Sequence, residues 1–253
     1  AQGSADLAAA ADVVFVLSVA RGEDLRIVAN MLTAPRDNAM VARRDRGIAA
    51  PADLAGKRVG VPFGTAADYF LWALLVRHKL EPDSVTPVDL PPGRIVEALA
   101  AGTVDAVALW HPGVLDAAAA LGANAALFFA GGAYTESFVV AGRGEFIARN
   151  PQAMQKLVRA LLKAERWLAS HPEEALTLVA TRLDADAATL RPAWKDFNFR
   201  LELPQWQLHT LENQARWAMA RGYAPAGPVP NFLARVHLDA MLAAEPRRVT
   251  MLH

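Results

Sequence analysis

Short apolar runs alternate with longer stretches of helical period through the first part of the chain, and this pattern restricts it to βα units around a largely parallel sheet. Residues 5–9 read as a short strand, and Asp12 reads as the N-cap of a helix carrying Val13, Phe15, Val16, Leu17 and Val19 to a stop at Gly22. Residues 25–29 and 39–43 read as further strands, and residues 51–54 as a short helix ending at Gly56. A second lobe is expected to follow. It opens with a strand over 58–61 and a helix over 66–79 with Phe70, Leu71, Leu74 and Leu75 on one face, continues through a helix bearing Ile95, Val96 and Leu99, and then has strands over 105–109 and 137–141.

From Asn150 the character changes. Asn150-Pro151 and Ser170-His171-Pro172-Glu173-Glu174 both place a Pro at a first helical position, the second with acidic residues in the opening turn, so the C-terminal part is expected to be mainly helical. The aromatic stretches 194–200 and 214–218 have helical spacing and are read as core contacts with Arg stems lying over them.

Composition removes several function classes. The 26 Lys and Arg balance 26 Asp and Glu, so no whole-molecule field favours a polyanion and nucleic acid is not an expected partner. The chain has 0 Cys, which excludes thiol nucleophiles, iron–sulfur clusters, Cys-based zinc sites and disulfides. The six His show no metal-ligand spacing, and His-Glu-x-x-His, Gly-x-Ser-x-Gly and Ser-x-x-Lys do not occur, so neither metal nor cofactor is expected. No window approaches the ~18 apolar residues of a membrane span. Residues 1–11 lack both an initiator Met and a basic region followed by an apolar run, as expected of a chain already cleaved or truncated.

Three segments could meet a ligand. In the run from Val59 to Asp68, a strand enters a Gly-containing loop and then a helix capped by Thr65. The free amides of such a helix start around Phe63, Gly64, Thr65 and Ala66 can hold an anion at the carboxyl end of a strand, although the same residues serve equally as a tight turn and a cap. Ala10 and Ala11, before the Asp12 helix, offer a comparable turn whose small side chains admit close approach. Trp110 and His111 follow a strand, where Trp supplies a stacking face and His a donor, although most Trp residues simply pack.

Taken together, five segments resemble the extracytoplasmic binding proteins for nitrate, taurine, aliphatic sulfonates and thiamine-pyrimidine precursors. They are residues 11–15 with 20–29, residues 53–65, Leu90-Pro91-Pro92, residues 97–106, and residues 170–175. The resemblance implies a type II periplasmic binding fold of two α/β lobes, with mixed sheets flanked by helices. Two crossing strands, expected near 40–43 and 138–141, would close over a ligand, giving lobe I from residues 1–43 and 142–253 and lobe II from 44–141. It also implies a periplasmic, monomeric, non-enzymatic protein that captures a small, probably anionic, organic solute for an ABC transporter permease. Helix amides would hold the anionic head, the Thr65 hydroxyl would donate to it, and Trp110 would pack on the apolar part. Members often carry Asp or Glu where His111 stands, so this chain is expected to favour a plain carboxylate or sulfonate over an amine-bearing ligand. The family's first strand–helix–strand unit has no counterpart before Gly3. Two other readings stay open: a sensing domain of a membrane receptor, and an enzyme related to thiamine-pyrimidine synthesis.

Overall fold

The computed structural model describes residues 5–252. In chain order the elements are β1 (Leu7–Ala11), α1 (Asp12–Ala20), β2 (Leu25–Ala34), β3 (Asn38–Arg43), β4 (Arg58–Val61), α2 (Ala66–Arg77), β5 (Thr86–Asp89), α3 (Pro92–Ala100), β6 (Ala106–Trp110), α4 (Gly113–Leu121), β7 (Ala125–Phe128) and β8 (Glu136–Arg143). Then follow α5 (Gly144–Arg149), α6 (Pro151–Ser170), α7 (Pro172–Arg182), α8 (Ala187–Trp194), β9 (Asn198–Glu202), α9 (Gln205–Ala220) and α10 (Asp239–Ala244). No helix among the described residues is long and apolar enough to cross a membrane.

The chain divides into two units. The first comprises residues up to Thr33, Ser137–Arg191 and Phe197 onward; the second comprises Ala34–Glu136 and Pro192–Asp196.

The first unit is built on a four-stranded sheet in the order β1-β8-β2-β9. β1 pairs antiparallel with β8, Ala11 facing Phe138, and β2 pairs antiparallel with β9, Thr33 facing Asn198. Its core joins Phe15, Val16 and Val19 of α1 to Ile27 and Val28 of β2, Met154, Val158 and Leu162 of α6, and Leu208 and Leu211 of α9. α6 earns its place through amphipathicity: Met154, Val158 and Leu162 recur every four residues and are buried, while charged neighbours face out.

The second unit is a five-stranded sheet, β5-β4-β6-β3-β7. β4 runs parallel to β5 and β6, whereas β3 is antiparallel to both β6 and β7. Its core joins Ala39 and Val41 of β3 to Ile95, Leu99, Val107, Leu109 and Val114.

Several expectations shift. The strand expected over 40–43 as a lobe crossing is β3, hydrogen-bonded on both sides inside the second sheet, so the division falls between Thr33 and Ala34. The other crossing falls between Glu136 and Ser137, at the start of β8. β1 lies two residues later than expected, and helix α2 stops at Arg77 because the chain turns left-handed at Lys79, φ 58°. Residues 198–200, read as part of a helical stripe, belong to β9, where Leu201 turns inward between more exposed neighbours with the period of a strand. Asn150 precedes α6 as expected, yet its side chain donates back to the Phe146 carbonyl rather than capping the helix.

Candidate functional site

The structure brings Phe63–Ala66 and Trp110–His111 to one end of the second unit's sheet. β4 and β6 are parallel neighbours, Gly60 pairing with Val107, so the loop after Val61 and the residues after Leu109 emerge at the same carboxyl edge. β3 runs the other way and begins there, with Asn38 opposite Trp110. An edge of this kind is where parallel α/β sheets present ligand groups. Ala10, Ala11 and Asp12 belong to the first unit.

At the start of α2 the protein's own groups take some of the expected donors. The Phe63 amide donates to Asp89 Oδ1 at 3.0 Å, and the Gly64 amide to Asp68 Oδ2 at 3.0 Å. The Thr65 hydroxyl donates to the Pro62 carbonyl at 2.7 Å and makes no cap, so its expected role as a ligand donor is replaced by a brace within the loop. What remains is the pair of first-turn amides, Ala66 and Ala67, which have no intrahelical acceptor because they open the helix. Asp68 and Asp89 hold the loop so that these amides are presented in a fixed direction.

Asp12 behaves differently from a cap. Ala11 is the N-cap and Asp12 is the first helical residue, fully buried. Its Oδ1 accepts the Val13 amide at 2.8 Å and Gln214 Nε2 at 2.9 Å, while Oδ2 accepts the Ser137 hydroxyl at 2.9 Å. Gln207 Nε2 donates in turn to Ser137 Oγ at 3.3 Å. The carboxylate therefore fills the mouth of α1 where an anionic ligand was expected. The physical reason is that a helix start favours negative charge, and here a side chain supplies it.

Sequence reasoning missed a polar cluster beside Trp110 and His111. Asp37, Asn38 and Glu136 are 6%, 4% and 4% exposed. Asn38 Nδ2 donates to Glu136 Oε2, the Asp37 carboxyl is hydrogen-bonded to Glu136, and the His111 amide donates to the Asp37 carbonyl at 3.1 Å. Burial pushes the Asp37 carboxyl from 3.8 up to about 6, against the pull of hydrogen bonds from Glu136 and the His111 amide. Burial also lowers the His111 pKa, with Asp196 opposing and Arg36 reinforcing the shift, which keeps the ring neutral. Arg36 itself lies 3.8 Å over the Phe129 ring and 3.3 Å from Asp196.

A carboxyl whose folded pKa is raised binds its proton more tightly in the folded chain. Its stabilising contribution is complete below about pH 4 and is lost as pH rises through about 6. Wild-type protein is thus expected to lose ~1.4 kcal/mol more than Asp37→Asn between about pH 5 and pH 8, read from urea midpoints at the two pH values. Equal pH profiles for the two proteins would refute the shift.

The model of the NMT1/THI5-like family matches residues 1–175. The chain belongs to that family. Among relatives, a Brucella abortus (strain 2308) protein named "Putative binding protein" is 30% identical over 156 residues, 59% of this chain and 48% of the relative. A "Putative aliphatic sulfonates-binding protein" of Escherichia coli K12 is 25% identical over 188 residues, 74% of this chain and 59% of the relative. The chain spans about half the length of the first of these relatives. Among solved structures, the periplasmic aliphatic sulphonate binding protein SsuA of Escherichia coli superposes with a TM-score of 0.78 at 19% identity, covering 94% of this chain and 81% of that one. The family assignment and this likeness establish the type II periplasmic binding fold expected from sequence.

Proposed function

We propose that this NMT1/THI5-like chain is the solute-binding component of an ABC importer, that it works as a monomer in the periplasm, and that it captures a small organic molecule with an anionic head without transforming it. The observation that carries the reading is the start of α2: the Ala66 and Ala67 amides open at the carboxyl edge of a parallel sheet, beside Trp110, on a fold shared with sulfonate-binding proteins. The helix start supplies donors without a compensating basic side chain, which suits a singly charged sulfonate or carboxylate. Trp110 offers the apolar wall for its organic part.

Thermal shift with a panel of short aliphatic sulfonates and carboxylates tests this. A ligand at about 100 times its dissociation constant stabilises by ~2.7 kcal/mol, so at least one panel member should raise the melting temperature clearly. A flat response to the whole panel sinks the reading.

A further inference from the structure

We propose that the captured solute also carries a protonated amine, received by Asp37, Asn38 and Glu136, and that its capture expels a proton these side chains share. The inference rests on the solute-binding reading above and adds the chemical class of the ligand's second group.

The argument starts from hydrogen-bond accounting. Two carboxyls bonded to one another can keep that bond only while one holds a proton. Both influences that draw Asp37 toward ionisation are hydrogen bonds, from Glu136 and from the His111 amide; neither is a cation. Asn38 gives its Nδ2 to Glu136, and its Oδ1, on the same buried amide, has no donor. His111 Nδ1 is likewise buried without a partner. Buried acceptors without donors are costly and are normally satisfied. Carboxyl oxygens, an amide oxygen and a neutral imidazole nitrogen are all acceptors in want of a donor. The complementary group carries several N–H bonds and a positive charge.

An alkylammonium ion meets that demand. Its three N–H donors can serve Asn38 Oδ1 and the two carboxyls, and its charge lets both carboxyls ionise, releasing the shared proton to solvent. A metal ion fits less well, because no group of three or more His, Asp and Glu among the described residues is placed to hold one. The cluster is also well placed. Asn38 pairs with Trp110 across β3 and β6, at the sheet edge where α2 opens its amides. The resulting ligand is a zwitterion, which reverses the expectation drawn from His111 alone.

The titratable and charged groups around Asp37 are Glu136 at the start of β8, His111 after β6, and the Arg36–Asp196 ion pair. Only the carboxyl pair offers a proton that an incoming ammonium must displace. An ammonium stays protonated across the range in which Asp37 titrates, so the pH effect belongs to the protein.

The test compares isosteres by calorimetry: 2-aminoethanesulfonate against 1-propanesulfonate, and 4-aminobutyrate against pentanoate. The amine of a matched pair is expected to bind at least about tenfold tighter at pH 8, with that preference shrinking toward unity at pH 5. In Asp37→Asn the preference should collapse and lose its pH dependence. Equal affinities within both pairs at pH 8 overturn this inference and leave the solute-binding reading standing, as does a pH-dependent preference that persists in Asp37→Asn, since His111 would then be its source. If no member of either pair binds, the solute-binding reading fails first and the ammonium site falls with it. Glu136→Gln is the second variant should Asp37→Asn fold poorly, and the pH series on wild-type protein needs no variant.

Discussion

Replacing Asp12 with Ala is expected to cost about 4 kcal/mol of folding stability and to lower the melting temperature by roughly 10 °C. The substitution removes one carboxylate and strands three donors at once: the Val13 amide, the Ser137 hydroxyl and the Gln214 side-chain amide. Each stranded donor in a dry site costs about 1–3 kcal/mol, and bonds to a charged acceptor lie at the upper end of the net range. Asp12→Asn should lose about half as much, since one carbonyl oxygen survives while the new NH2 confronts donors that already point inward. Gln214→Leu in the Asp12→Ala background should recover part of the loss, because a buried donor without a partner is removed along with its desolvation cost. Urea denaturation of the four proteins checks the series. A loss below about 1 kcal/mol for Asp12→Ala would mean that water or a rearranged Gln214 replaces the carboxylate with little strain.

That network also shows which parts of the molecule could be read from sequence. The strand–turn–helix at 58–77 is local: alternation, a glycine and a helical apolar face lie within twenty residues, and the observed β4 and α2 follow them closely. The same holds for β6, whose apolar run sets Trp110 at the sheet edge. Asp12, by contrast, meets Gln214 across 202 residues of sequence, and Asn38 meets Glu136 across 98. No local pattern reports such a pairing, so Asp12 was read from its neighbours as a cap. A weaker signal did exist. Asn30 and Asn38 interrupt apolar strands, and Gln207 and Gln214 stand seven apart on one face of α9; all four are buried. Polar residues with the periodicity of the core demand partners, and their presence marks a buried network even when the partners cannot be named. β7 and β9 were missed for a different reason. Each is only four or five residues long, and neighbouring helical spacing obscured their period of two.

Ala66→Pro should weaken capture of an anionic solute by ten- to a hundredfold with little change in stability. Proline lacks the amide proton, so the substitution deletes one donor at the mouth of α2 and adds no charge. The backbone tolerates it: Ala66 is the first residue of the helix, where proline's fixed φ suits the geometry, and Thr65 before it sits at φ −118°, ψ 174°, the extended region that a residue preceding proline prefers. The Ala66 amide has no intrahelical acceptor to lose. A hydrogen bond to a charged group contributes about 1.5–3 kcal/mol, which corresponds to the stated loss of affinity. The effect should fall on sulfonates and carboxylates alike, because the helix start reads charge more than shape. Calorimetric titration, with a urea melt of the same preparation, separates the two consequences. Unchanged affinity in a fully folded Ala66→Pro protein would move the anion-binding role away from α2, whereas lost affinity accompanied by lost stability would point to the proline ring crowding a site where Ala66 is only 6% exposed. In that case Ala66→Gly, which keeps the amide and removes the methyl, should bind normally.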